Sequence, residues 1–419
     1  MMHALTPVVP PPAAAPLPAF VQQRVERFYH QRVAVDWGGR HILRGRRPEP
    51  GDLLLQSNDY LAIAGHPDIE QAQREALARH GQGMMMSALF MQDEADPLHQ
   101  LEVTLARAVG SQAGILAQSG YAANVGLLQS IADERVPVYI DMLAHASLWE
   151  GIRSAGARAV PILHNEPAHL ERHVLRHGPG VIVVDAIYST NGSLAPLAEI
   201  VDIGTRHGCV LVIDESHSLG THGRHGEGLV ASLGLMPKVH FVTVSLAKAY
   251  CSRAGFIACN SAFKDYFGCE AFPAIFSSAL LPHDVAGLAA AHRVIAAADE
   301  RRERLRSITM RVRAALAALG YPIEDGSEQI IAFEAGVETL TAHVRDLLEA
   351  HGIFGSVFSA PATTRNRSLL RLTLNAGMSE ADVERLIDTC RRLREAMRVD
   401  SWSASRRRRR PVDALEQVA

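Results

Sequence analysis

Two apolar runs, one ending in an acid and the other in a lysine, offer the clearest chemistry in the sequence. The first is Val210-Leu-Val-Ile-Asp-Glu-Ser-His217. At the carboxyl end of a parallel strand, such polar side chains emerge into the crevice where ligands bind. There Asp214 could sit beside a cationic ring nitrogen, and an adjacent opposite charge favours the charged form. The ring would then stay protonated at neutral pH and act as an electron sink. The same carboxylate could equally cap a helix. The second run is Phe241-Val-Thr-Val-Ser-Leu-Ala-Lys248. A lysine emerging from apolar surroundings loses basicity and can form a Schiff base, and Ser245, three residues earlier, could bind a phosphate. Of 42 basic residues only Lys238, Lys248 and Lys264 are lysines. Chemistry that needs a primary amine therefore has few places to live.

Two further motifs carry weaker signals. Ala117-Gln-Ser-Gly-Tyr-Ala-Ala-Asn124 reads as a strand, a small-residue turn and a helix start, and backbone N–H groups at such a start make an anion site. Asp141-Met-Leu-Ala-His-Ala-Ser147 places His145 where its flat ring could stack on a ligand. Taken alone, that histidine is more often structural.

The elements that must position these residues follow from apolar patterning. Short runs at 114–117, 138–140, 181–184, 210–213, 240–244 and 256–259 are apolar on both faces, as a helix-covered parallel sheet demands. Amphipathic stretches lie between them, such as Pro97–Val109 with its proline at the helix start and Leu197–His207 before Gly208. This βαβ rhythm predicts a doubly wound α/β domain over residues 55–285. A leader and arm (1–54) precede it, with Met1–Pro18 reading as a disordered leader and not a secretory signal. One long helical pattern over 283–319, two more at 338–351 and 379–398, and strands at 330–334 and 369–374 predict a small α+β domain over 286–398. The stretch 399–419, with five consecutive arginines at 406–410, is expected to be a disordered tail.

Composition narrows the function classes. The chain has 419 residues, 47% hydrophobic and 21% charged, with a formal net charge of −3. That balance gives no electrostatic argument for nucleic acid or membrane as the main partner, and no run reaches the roughly 20 apolar residues of a membrane span. Five scattered cysteines, an odd number without metal-ligand spacing, fit free thiols in a reducing cytoplasm.

In order, the phosphate turn, the stacking histidine, the strand-end Asp with its His and the Schiff-base lysine resemble the fold-type I pyridoxal-phosphate (PLP) enzymes, and more narrowly the α-oxoamine synthases. The resemblance is carried by Asn58-Asp-Tyr-Leu61, Ser119-Gly-Tyr-Ala-Ala-Asn124, Leu143-Ala-His-Ala-Ser147, Tyr188-Ser-Thr-Asn-Gly192, Asp214-Glu-Ser-His-Ser218, Ser245-Leu-Ala-Lys248 and Arg371-Leu-Thr-Leu-Asn375. It implies that Lys248 holds the cofactor and later moves the α-proton, that Asp214 pairs with the pyridinium and that His145 stacks on its face. By the same resemblance His217 and Ser189 contact the ring hydroxyl, and the Ser119-Gly120-Tyr121 turn holds the phosphate with Ser245. Ser277 and Ser278 look like the stretch that reaches the phosphate from a partner subunit, which implies a homodimer. Arg371 looks like the clamp on the amino-acid carboxylate, with Asn58 and Tyr60 beside the substrate.

Departures at Met84–Phe90, Ala249–Gly255 and Ser216, the last replacing a common alanine, are similar to the α-hydroxyketone quorum-sensing autoinducer synthases. Members of that group condense an acyl-CoA with an amino acid, 2-aminobutyrate or S-adenosylmethionine, and lose carbon dioxide to give an α-aminoketone or its enamine. The apolar segment over 84–91 would receive the acyl chain. The alternative is a housekeeping synthase making a biotin precursor, an aminoketobutyrate or a sphingoid base. A metal site at His217, His222 and His225 is disfavoured because the spacing lacks a helical i, i+4 pair. A nicotinamide dehydrogenase is disfavoured because no G-x-G-x-x-G follows the first strand.

Overall fold

The computed structural model describes residues 15–91 and 94–408. In chain order the strands are β1 (Leu53–Leu54), β2 (Ala113–Ala117), β3 (Pro137–Asp141), β4 (Arg158–Ile162), β5 (Val181–Asp185), β6 (Val210–Asp214), β7 (Phe241–Ser245), β8 (Gly255–Cys259), β9 (Ile330–Gly336), β10 (Ile353–Phe354), β11 (Ser356–Phe358) and β12 (Ser368–Thr373). Strands β2 to β8 form one sheet in the order β2-β8-β7-β6-β5-β3-β4. Neighbours from β3 to β7 pair in parallel, while β8 runs antiparallel to both β7 and β2. The mainly parallel α/β sheet read from the sequence is therefore present, with one reversal. That reversal makes the β7–β8 connection a tight loop, and Lys248 stands in it.

Covering helices bury both faces of the sheet, which is why Ile182, Val183, Val212, Ile213 and Val242 are fully inaccessible. Strand β4 had no clear apolar signal. It is the sheet's edge, its burial alternates and it carries Pro161, which only an edge strand tolerates well. A second, antiparallel sheet has the order β11-β12-β9, and β1 joins β10 in parallel.

Two expectations for the second half need correction. The single helix over 283–319 is two, Pro282–Ala296 and Asp299–Ala318. Neither Gly nor Pro marks the break. The buried Arg302 guanidinium donates to the carbonyl of Ile295 at 2.6 Å, which also accepts the Ala298 N–H at 3.0 Å, and pairs with Asp299 at 2.6 Å. The tail expected to be disordered from 399 is instead ordered through a short helix at Ser403–Arg408. Trp402 is fully buried, its ring 5.7 Å from Tyr321 and 5.3 Å from Phe333. The burial of one large aromatic outweighs the repulsion of the arginines that follow. Most of the leader (1–14) and the end of the tail (409–419) lie outside the described residues. Among the described residues, no helix is long and apolar enough to cross a membrane.

Trp402→Ala is expected to destabilise the protein by about 3–5 kcal/mol, the usual cost of emptying a buried aromatic site. A denaturation midpoint equal to that of the parent protein would show that the tail contributes nothing to the core.

Candidate active site

Strand ends build the site. β3, β5, β6 and β7 finish in Asp141, Asp185, Asp214 and Ser245. The last three line a cavity of about 620 Å³ together with Ser119, Gly120, Tyr121, His145, Ser189, His217, Lys248, Asn58 and Arg371. Residues expected to act together from widely separated motifs thus share one cavity of ligand-binding size.

Asp214 is buried, and neutral groups fix both of its oxygens. Asn124 Nδ2 donates to Oδ2 at 2.8 Å and the Ser216 amide to Oδ1 at 2.8 Å. Asn124 also donates to Ser147 Oγ at 2.9 Å, and Ser147 Oγ lies 2.7 Å from His145 Nδ1. The chain from the carboxylate to the stacking-candidate ring is therefore continuous. Ser216, which the sequence marked only as a departure, accepts the Ser245 N–H on its hydroxyl at 2.7 Å. It ties the end of β6 to the end of β7. The adjacent Glu215 has a separate role. Fully buried, it accepts the N–H of Val230 at 3.0 Å and of Leu229, and burial lifts its pKa to about 7.

The turn before the helix Gly120–Ile131 is compact. Ser119 caps that helix, accepting the Ala122 N–H at 3.0 Å. A Cβ on Gly120 would come within 2.5 Å of the Ser245 Cβ. Glycine therefore lets the helix N-terminus, with its free N–H groups, abut the end of β7 where Ser245 also lines the cavity. That cradle suits a phosphate.

Arg371 enters from β12. It donates to the Ser189 carbonyl at 2.7 Å and to Asn58 Oδ1 at 2.8 Å, and its Cζ sits 4.8 Å from the centre of the Phe358 ring. Its Nε is buried without a partner, leaving donor capacity for an incoming anion. Tyr60 stands one layer back from the expected substrate contact. It is fully buried, does not line the cavity, and hydrogen-bonds His217 Nδ1. His222 turns away to Glu328, Nε2 to Oε2 3.0 Å, so it does not converge with His217.

Burial lowers the Lys248 pKa below its ordinary value. The Arg371 charge adds to that effect and Asp214 opposes it. His217 is held well below the usual histidine range by burial and then by Lys248, Arg371 and His145, which keeps its ring neutral. Asp185, the cross-strand neighbour of Asp214, accepts the His145 N–H at 3.2 Å. Burial and then the Asp214 charge push its pKa well up, favouring the protonated acid. Sequence reasoning missed Asp185 because a lone acid after Val181-Ile-Val-Val184 has no distinguishing neighbour.

Ser277 and Ser278 do not line this chain's own cavity. Ser277 Oγ donates to the Pro273 carbonyl, and the Ser278 carbonyl accepts from Gln118 at 2.7 Å. Nor does the 84–91 segment wall the cavity as an acyl pocket. It lies against 274–279, with Ala279 N donating to Met86 O at 2.7 Å and Ser87 Oγ to Ala274 O at 2.9 Å. Met84, Met85, Phe90, Phe272 and Phe276 are exposed around this contact.

The residues fit pyridoxal phosphate. A buried carboxylate without a cationic partner in its hydrogen bonds suits a pyridinium, the Gly120 cradle suits the phosphate, and Lys248 supplies the amine. Comparison with known proteins agrees. The family description "aminotransferase class I and II" matches residues 50–389. The chain belongs to that family, within its PLP-dependent α-oxoamine synthase branch. More particularly, it is 44% identical over 379 residues to the CAI-1 autoinducer synthase of Vibrio campbellii, covering 90% of this chain and 96% of that protein. It is 32% identical to the 8-amino-7-oxononanoate synthase of Trichlorobacter lovleyi, over 80% and 87% of the two chains. Its fold matches Sphingomonas wittichii serine palmitoyltransferase with a TM-score of 0.79 at 25% identity, covering 91% and 98%.

The lysine environment gives a direct expectation. Only the neutral amine is nucleophilic, and its fraction rises as pH climbs through the pKa. In cofactor-stripped protein, half-maximal acylation of Lys248 should therefore come at a lower pH than the ordinary lysine value of 10.5. Peptide-resolved mass spectrometry reads it readily in a chain with three lysines. Labelling of Lys248 that rises only at or above that value would contradict the site's electrostatics.

Proposed function

We propose that the chain is a PLP-dependent acyl-CoA:amino acid C-acyltransferase that makes the α-aminoketone precursor of an α-hydroxyketone quorum-sensing autoinducer. The observation that carries this reading is the meeting of Lys248, Asp214 and Arg371 in one cavity, in a chain that aligns nearly end to end with an autoinducer synthase. In the overall reaction a C–C bond forms between the amino acid's Cα and the acyl carbonyl carbon. The thioester C–S bond breaks, and coenzyme A and carbon dioxide leave. When bound, the cofactor supplies a cationic ring that accepts the negative charge developing at Cα.

The chain's own residues have separable tasks in this reading. Arg371, already oriented by Asn58 and Ser189, holds the amino-acid carboxylate through its free guanidinium edge. Lys248, made less basic by burial, takes and returns the Cα proton. Asp214 keeps its neighbouring ring nitrogen protonated, and His145, braced by Ser147, packs on the ring face. Neutral His217 and Ser189 meet the ring hydroxyl, while Ser119, Gly120, Tyr121 and Ser245 hold the phosphate. Ser277 and Ser278 would complete the phosphate site of a partner copy in a homodimer. The exposed apolar group around Phe272 and Phe276 supports that assembly. Residues 55–285 are the cofactor-binding unit in this scheme, 286–398 the small unit, and the cytoplasm the compartment. The amino donor is 2-aminobutyrate or S-adenosylmethionine.

Incubating the enzyme with a matrix of acyl-CoAs and amino acids, with products read by mass spectrometry, tests the assignment. A medium-chain α-aminoketone from 2-aminobutyrate or S-adenosylmethionine is expected. A product only from alanine with a pimeloyl donor, from glycine or from serine would move the chain to the housekeeping synthases. Asp214→Asn should lower kcat by about 10²-fold or more, since the charge that stabilises the reacting centre is lost. Undiminished turnover would mean that another group stabilises the ring.

A further inference from the structure

The cavity has a second end that the chemistry above does not use. Leu369 of β12 lines it, and so does Arg367 just before the strand. At about 3.3 Å per residue, Arg367 lies roughly 13 Å along the chain from Arg371. Opposite Arg367 stands Glu334 of β9, and beside both the C-terminal helix contributes Ala404 and Arg407 to the wall. Arg367 Nη2 and Arg407 Nη2 donate to Glu334 Oε2 at 2.9 and 3.0 Å, and Arg407 Nη1 also bonds Oε1. Ser403 Oγ donates to the same carboxylate at 2.5 Å. Glu334 is 10% exposed, whereas each arginine side chain keeps 41% of its surface open. One buried carboxylate therefore holds two half-exposed guanidiniums side by side while neutralising a single charge. The other nearby acid, Asp325, is 3.5 Å from Arg407 and 71% exposed, so water screens it. Arg365 and Arg406 are exposed beside the pair.

We propose that Arg367 and Arg407 form an outer anion clamp that seats the phosphates of the acyl donor's nucleotide, with the ordered C-terminal helix as part of the donor site. Paired guanidiniums held by a buried acid match the geometry of a phosphate. Their position on the same cavity as Lys248 lets a thioester on a flexible arm reach the inner end while its charged head stays at the mouth. Arg371 then serves the amino acid's carboxylate and the outer pair serves the donor. The inference builds on the acyl-CoA reading above, and its test separates the two.

Calorimetric titration of the full-length holoenzyme with coenzyme A and, in parallel, with pantetheine, which lacks the nucleotide, measures the clamp without turnover. In Arg367→Gln/Arg407→Gln, coenzyme A binding should weaken about tenfold or more, as loss of charge-assisted hydrogen bonds implies. Its salt dependence should flatten, and pantetheine binding should be unchanged. An unaltered visible cofactor band reports an intact inner site. Coenzyme A affinity equal to that of the parent, or equal losses for both ligands, overturns the clamp. If the parent protein binds coenzyme A through these arginines yet condenses no acyl-CoA, the clamp stands and the proposed reaction falls.

Discussion

A carboxylate taken out of water is costly unless a positive charge meets it, and the arrangement around Asp214 follows from that constraint. Its hydrogen bonds come from an amide side chain and a backbone N–H, which orient the group without cancelling its charge. Lys248 in the cavity feels the Asp214 charge, and a cationic ligand there completes the site electrostatically. The neighbours bend to the same field. Asp185 across the strand is pushed toward its protonated form partly by Asp214. His217 is kept neutral by burial and by the cations around it. One fixed negative charge and one softened amine sharing a cavity are the condition on which the rest of the site depends.

The parts of the site that lie at strand ends were legible in the sequence. Asp214 and Ser245 close apolar runs, and Lys248 follows one, so local pattern and burial alone place them near a crevice. The cofactor turn was legible for the same reason, because a strand, small residues and a helix start adjoin in sequence. What stayed hidden depends on contacts between distant segments. Asn124 meets Asp214 across 90 residues, and Arg371 meets Asn58 across 313. No periodicity records such pairings. Family resemblance pointed to Arg371 and Asn58 but not to the bond between them, and it set Tyr60 on the substrate when the residue lies behind His217.

The errors outside the central sheet have a common physical cause. Five consecutive arginines dominate any reading of the tail by charge, yet the decisive residue is Trp402, whose partners Tyr321 and Phe333 are far upstream. The split helix is similar. Its break is fixed by Arg302 reaching back to Ile295, an arrangement that a run of alanines conceals. The methionine-rich segment over 84–91 was read as a pocket because it is apolar, but apolar surface can equally face another chain, and here it packs beside the Phe272–Phe276 stretch.

Borohydride reduction of the holoenzyme, followed by peptide mapping, tests the central claim most directly. Reduction converts a Schiff base into a stable secondary amine, so a pyridoxyl group remains on whichever lysine carried it. The account expects that mass on the peptide containing Lys248 and a carboxylate-dependent visible band that changes in Asp214→Asn. A label on Lys238 or Lys264, or cofactor released unreduced, would contradict it.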